Sequence, residues 1–236
     1  MRKMEVLGIP LQDLTIRESM KQVERFFHDG KGSTIALITM KGLIAAQDSP
    51  QIKKWMSSLD MTVAADADIL HAADINYHGR IHDVENNVFI SEFLKKIVRQ
   101  RKTVYLISQT PAALANLEKE LCAYEEGLRI VGRAALEERE YTDDDSVIND
   151  MNMKFPDVLI SNLESPKREV FWEENHMKMN VRIWLMLRYD RQLLAKDKGP
   201  VRRLYDKMMK RWFHMRLDRY RSQVESSQIE QEQSHE

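Results

Sequence analysis

The chain alternates two hydrophobic periods from end to end. Short runs rich in β-branched and apolar residues occupy 5–9, 34–39, 61–65, 103–108, 128–132, 157–161 and 181–187, and each predicts a strand. Between them apolar positions recur at helical spacing, most clearly Phe89, Ile90, Phe93, Leu94, Ile97 and Val98, which share one face. Thr15-Ile16-Arg17-Glu18 has the hydroxyl-to-carboxylate spacing of a capping box and predicts a helix start. A further short helix is predicted over 69–73, and the segment 76–87 reads as a loop. Strands separated by crossover helices predict an α/β fold: a Rossmann-like, mostly parallel sheet with helices on both faces.

The last third of the pattern differs. Val201, Leu204, Tyr205, Met208, Met209, Trp212, Phe213, Leu217 and Tyr220 form a helix-period stripe, and basic residues fill the positions between. These are Arg202, Arg203, Lys207, Lys210, Arg211, Arg216, Arg219 and Arg221, opposed only by Asp206 and Asp218. A basic amphipathic helix with Trp and Phe on its apolar face suits the headgroup region of an anionic membrane. The same pattern also suits a terminal helix docked on its own domain with a solvated basic face, and periodicity does not separate the two. The expected organisation is an α/β domain over 1–197, this helical appendage over 198–221, and a tail over 222–236. That tail is Gln, Glu and Ser with almost nothing apolar, so disorder is expected.

Composition changes this picture in two ways. The net charge is −1, but residues 198–221 hold nine basic against two acidic residues, a local +7, so the basic character is confined to the appendage. Nucleic acid is not an expected partner, because no aromatic stacking platform or helix-turn-helix pattern accompanies that charge. A single cysteine, Cys122, forbids an intramolecular disulfide and reads as a small buried hydrophobe within a helix. No N-terminal apolar segment or long apolar run is present, so the expectation is a cytoplasmic protein whose membrane contact is peripheral.

In a parallel sheet, ligands bind beyond the carboxyl ends of the strands. That rule selects Thr39, Met40 and Lys41, then Asp66 and Asp68, the stretch 108–111, Asn162 to Glu169, and Arg188 to Asp190. Ser165-Pro166-Lys167-Arg168-Glu169 follows a strand and opens a helix, where exposed amides attract anions and two cations would hold a diphosphate or carboxylate. An ordinary helix start with surface charges has the same sequence. Either Asp66 or Asp68 can serve as a general base facing the crevice, although an aspartate there is also a routine helix cap. His71, His78 and His82, with Asp74 and Asp83 nearby, match no established ligand spacing, and no metal is expected. Gly-rich phosphate loops, nucleophile elbows and zinc motifs are missing from the sequence.

The order of several segments resembles the WecG/TagA/CpsF glycosyltransferase family. Val6-Leu7-Gly8-Ile9-Pro10, Ala46-Gln47-Asp48-Ser49-Pro50, Leu128-Arg129-Ile130-Val131-Gly132 and the Ser165 to Glu169 element with Trp172 carry the resemblance, which runs from about Met4 to Tyr220. It implies transfer of N-acetylmannosamine or a related sugar from a UDP-sugar to a lipid-linked acceptor, without a metal or other cofactor. It also implies catalytic roles for Asp66, with Asp68 a rival match for the family's aspartate, and for Thr39, donor contacts from Ser108, Gln109, Lys167, Arg168, Glu169 and Asp190, and a membrane face built from Arg202, Arg203, Lys207, Lys210, Arg211, Trp212 and Phe213. Homo-oligomerisation is compatible with it. The family's Thr-Leu-Asn is Leu37-Ile38-Thr39 here, its Gly-Gly turn is Ser108-Gln109, its motif glutamine is Arg168, and Tyr189-Asp190 stands for Phe-Asp. The arginine expected near the fourth segment falls at His82-Asp83. Side chains at Ser108 and Gln109 would crowd a nucleotide that glycines would admit. Losses at several crevice positions together are also what a non-catalytic relative would show, one serving as a membrane-surface binding or regulatory subunit.

Overall fold

A computed structural model of the chain describes residues 2–30, 32–138, 143–188 and 200–233. It opens with a hairpin, β1 (Lys3–Val6) and β2 (Ile9–Gln12), where a single strand over 5–9 was expected. Leu7 and Gly8 both have positive φ, the conformation of a tight two-residue turn, and they reverse the chain inside an apolar run. The next elements are α1 (Ile16–Asp29), β3 (Ser33–Ile38), α2 (Met40–Asp48), α3 (Pro50–Ser58), β4 (Met61–Ala64), α4 (Ala67–Ala72), α5 (His78–Glu85) and α6 (Val88–Arg99). There follow β5 (Thr103–Ser108), α7 (Pro111–Tyr124), β6 (Arg129–Ala135), α8 (Asp144–Lys154), β7 (Val158–Ser161), α9 (Lys167–Asn175), β8 (Ile183–Met186) and α10 (Pro200–Gln233).

The six strands β3 to β8 form one parallel sheet in the order β4-β3-β8-β7-β5-β6. The last strand, β8, is inserted between the two halves that precede it. Side chains alternate between two cores, as the two-residue period of a strand requires. Ala36, Ile38, Tyr105, Ile107, Trp184 and Met186 face one side, while Ile35, Leu37, Val104, Leu106, Ile183 and Leu185 face the other. The same clasp sets the register at the amino edge of each half. Thr34 N–H and Oγ1 donate to Asp60 Oδ2 at 2.7 and 2.9 Å, and Thr103 N–H and Oγ1 donate to Asp157 Oδ2 at 3.0 and 3.1 Å. Edge strand β4 is covered by Gln12, whose amide group accepts from Thr62 N–H and donates to Asp60 C=O, blocking strand addition. Gly132 lies where an added Cβ would fall 2.5 Å from the Tyr105 ring, so this motif glycine serves packing.

Two further expectations need correction. Residues 76–87 are not a loop but hold α5, which Arg80 anchors to Asp13 at 2.7 Å and to Leu14 C=O at 3.0 Å. The tail from Ser222 continues α10 to Gln233. Its Glu and Gln residues have good helix propensity, so the helix propagates although the side chains from Ser222 to Ser227 stay exposed. Among the described residues no helix is long and apolar enough to cross a membrane.

The capping box forms as predicted. Glu18 N–H donates to Thr15 Oγ1 at 3.3 Å, and Thr15 N–H donates to Glu18 Oε2 at 2.8 Å. The Thr15 amide, together with the Thr15 hydroxyl that donates to the same carboxylate oxygen at 2.7 Å, holds the Glu18 carboxyl below its ordinary range. Thr15→Ala should cost about 1 kcal/mol in urea denaturation. Because the Glu18 value is depressed in the folded chain, its stabilising effect is full above the ordinary carboxylate pKa and lost as pH falls through the folded value. The penalty of Thr15→Ala should therefore shrink in acid.

Candidate functional site

The carboxyl ends of β3, β4, β5, β7 and β8 lie along one edge of the sheet, where polar side chains gather. Three helix starts surround it: α2 capped by Thr39, α7 capped by Thr110, and α9, which has no side-chain cap. Asp66 is its most constrained group. Its Oδ2 accepts Met40 N–H at 2.9 Å, and its Oδ1 accepts Arg188 Nη2 at 3.0 Å. Arg188 Nη1 donates to Ala65 C=O at 2.8 Å. Both side chains are 5% exposed, so this is a buried ion pair that ties β8 to β4 across β3 and holds the start of α2. An arginine following an apolar strand gave a sequence-level signal, but its partner lies 122 residues away.

Asp68 has a different neighbourhood. Its Oδ1 meets Lys210 Nζ at 2.8 Å and His214 Nε2 at 3.2 Å, both from α10. Two residues apart in the chain, the two aspartates are thus committed to different partners. Thr39 Oγ1 accepts Gly42 N–H at 3.0 Å, so its hydroxyl caps α2.

On the other side of the crevice, buried Ser108 donates its hydroxyl to Asn162 Oδ1 at 2.5 Å. Gln109 donates to Glu137 Oε1 at 2.7 Å, and Lys167 Nζ reaches the same oxygen at 3.5 Å. The Gln109 hydrogen bond, with a smaller effect of Lys167, holds the Glu137 carboxyl below its ordinary range. Lys41 on the first turn of α2 pairs with Glu164 at 3.3 Å. Arg168 faces Glu169 rather than open crevice, at 2.6 Å, and stacks over the Trp55 ring at 4.5 Å from its centroid. The second Glu169 oxygen is buried without a hydrogen-bond partner among the described residues. Glu137 and Trp55 were not among the sequence-derived site residues, because neither stands directly at the end of an expected strand.

The histidine cluster disperses: His71 hydrogen-bonds Asn76, while His78 and His82 stack on each other along α5. Among the described residues no group of three or more His, Cys, Asp or Glu is arranged to hold a metal. Asp190 and the Tyr189-Asp190 pair lie outside the described residues, as do the side chains of Arg202 and Arg203.

The appendage resolves the question its periodicity posed, and it does so by splitting the apolar stripe in two. Met209, Phe213 and Leu217 are buried in the main core, each burial being worth about 1.5–3 kcal/mol. Phe213, expected on the membrane face, is fully buried, because it falls on the docked side of the helix. Arg216 forks onto Asp48 at 2.7 and 3.0 Å, Tyr220 donates to Glu5 at 2.9 Å, and Arg221 donates to Ala72 C=O at 3.2 Å. Gly8 leaves room for this docking, since an added Cβ would lie 3.1 Å from the Tyr220 hydroxyl. Leu204, Met208, Trp212 and Met215 form a second stripe and remain exposed, at 69%, 61%, 39% and 44%. Lys207 and Arg211 are exposed beside it.

A parallel, Rossmann-like α/β sheet with polar groups gathered at its carboxyl edge and a basic helix docked alongside defines the class of this protein. The chain matches the Glycosyl transferase WecG/TagA/CpsF family over residues 4–214, and it belongs to that family. No curated protein matches it.

The buried pair generates a prediction. Arg188→Met or Asp66→Ala leaves an uncompensated charge in the interior and should cost about 3–5 kcal/mol in chemical denaturation. The double variant should cost clearly less than the sum of the two.

Proposed function

We propose that this chain is a membrane-surface glycosyltransferase that moves an N-acetylhexosamine, of the N-acetylmannosamine type, from a UDP-sugar to a lipid-linked acceptor in cell-envelope polysaccharide or teichoic acid synthesis. Family membership supports a sugar donor and an acceptor. The observation that carries the finer reading is the outward stripe Leu204, Met208, Trp212 and Met215, flanked by exposed Lys207 and Arg211, on a helix docked by its opposite side. An exposed apolar band with basic flanks suits an anionic lipid surface, where a lipid-linked acceptor resides. Its proposed place is the cytoplasmic face of the membrane. For the donor, Lys167 and the start of α9, which has no side-chain cap although Arg168 N–H donates to Glu164 C=O at 2.9 Å, are the groups offered to an anionic diphosphate.

A second reading has its own support. The crevice cations Lys41, Lys167, Arg168 and Arg188 each have a carboxylate partner, so a diphosphate must compete with Glu164, Glu137, Glu169 and Asp66. A non-catalytic family member acting as a membrane-surface binding or regulatory subunit would tolerate that arrangement.

Vesicle flotation with anionic phospholipids tests the membrane element common to both readings. Each basic residue near such a surface contributes about 1 kcal/mol, so Lys207→Gln with Arg211→Gln should weaken partitioning roughly thirtyfold at low salt. Trp212→Ser with Met208→Ser should weaken it further without altering the melting temperature, since both positions are exposed. Binding that is unchanged in all four substitutions would overturn the membrane reading.

A further inference from the structure

Transfer of a sugar to a hydroxyl needs a group that can accept the hydroxyl proton. Asp66 is poorly placed for this, because one oxygen accepts a backbone amide, the other accepts Arg188, and the residue is 6% exposed. The neighbouring pair is built differently. His214 Nε2 stands 3.2 Å from Asp68 Oδ1, Asp68 is 13% exposed at its side chain, and His214 is 43% exposed. With the Nε2 proton directed at Asp68, the lone pair resides on Nδ1, which has no hydrogen-bond partner among the described residues. A carboxylate that orients a half-exposed imidazole and leaves its second nitrogen for another partner is the arrangement of a proton-accepting dyad.

We infer that His214, oriented by Asp68, is the residue that accepts the acceptor proton in this protein. The inference rests on the transferase reading. In the step, the acceptor oxygen attacks the anomeric carbon of the donor and its proton passes to His214 Nδ1. The bond from the anomeric carbon to the diphosphate oxygen breaks, and UDP leaves with the electron pair. Asp68 is a positioning residue, shared with Lys210 at 2.8 Å. The base therefore arrives on α10, the helix that also carries the outward apolar stripe. Around His214 the charged groups are Asp68 from α4, with Lys210, Arg211 and Asp218 on its own helix.

The test is UDP release from UDP-N-acetylmannosamine by the full chain on anionic vesicles, with water or added lipid-linked saccharide as acceptor. His214→Gln keeps a donor toward Asp68 and removes the base. It should lower kcat about a hundredfold or more, with unchanged KM for the donor, unchanged vesicle binding and an unchanged melting temperature. Asp68→Asn should lower kcat less and leave donor KM unchanged, a split that loss of helix docking would not produce. Full turnover in His214→Gln would overturn the inference while leaving the transferase reading intact. No UDP release by the wild-type chain with either acceptor would overturn both.

Discussion

The buried Arg188–Asp66 pair is the contact on which the site's geometry depends. It joins the end of the last strand to the end of β4, and through the Met40 amide it also holds the first turn of α2. Desolvating two charges is costly, and their attraction offsets that cost only where hydrogen bonds satisfy the remaining groups. Here the Ala65 carbonyl and the Met40 amide supply such bonds. Both carboxylate oxygens of Asp66 are thereby engaged in holding these strand and helix ends together.

From this anchor the appendage follows directly. Asp68, two residues beyond Asp66, receives Lys210 and His214, and Phe213 between them fills the core. Downstream, Arg216, Tyr220 and Arg221 extend the seam to Asp48, the β1–β2 hairpin and the end of α4. One helix thus has two apolar faces with separate roles: one buried against the body, the other exposed between basic residues.

Much of the fold was legible because local signals and global packing agree. The run 103–108 is apolar on both faces, as a central parallel strand must be, and its bounds match β5. Thr15 and Glu18 announced their helix through a contact three residues long. Where the reading failed, the deciding partner was remote or conformational. The turn at Leu7 and Gly8 is hidden in a hydrophobic run, and α5 depends on Arg80 reaching Asp13 and Leu14, 66 or more residues earlier. The strand-end residues were legible for the same reason, since the topology alone brings those ends to one edge of the sheet. The pairings of Arg168 with Trp55 and Glu169, of Lys167 with Glu137, and of Asp68 with α10 come from tertiary packing, and a list of charged residues does not contain them. The amphipathic stripe could not be divided for a similar reason, since spacing identifies a face but not what covers it.

If this chain is a transferase, a sheet edge whose cations are already paired with carboxylates must still admit a nucleotide sugar. In calorimetric titration of the full chain with UDP and with UDP-N-acetylmannosamine, a transferase gives saturable binding of both ligands, weakened by Lys167→Ala. No heat of binding at millimolar concentrations of either ligand would contradict the transferase reading and leave the non-catalytic, membrane-surface role as the reading that fits the fold.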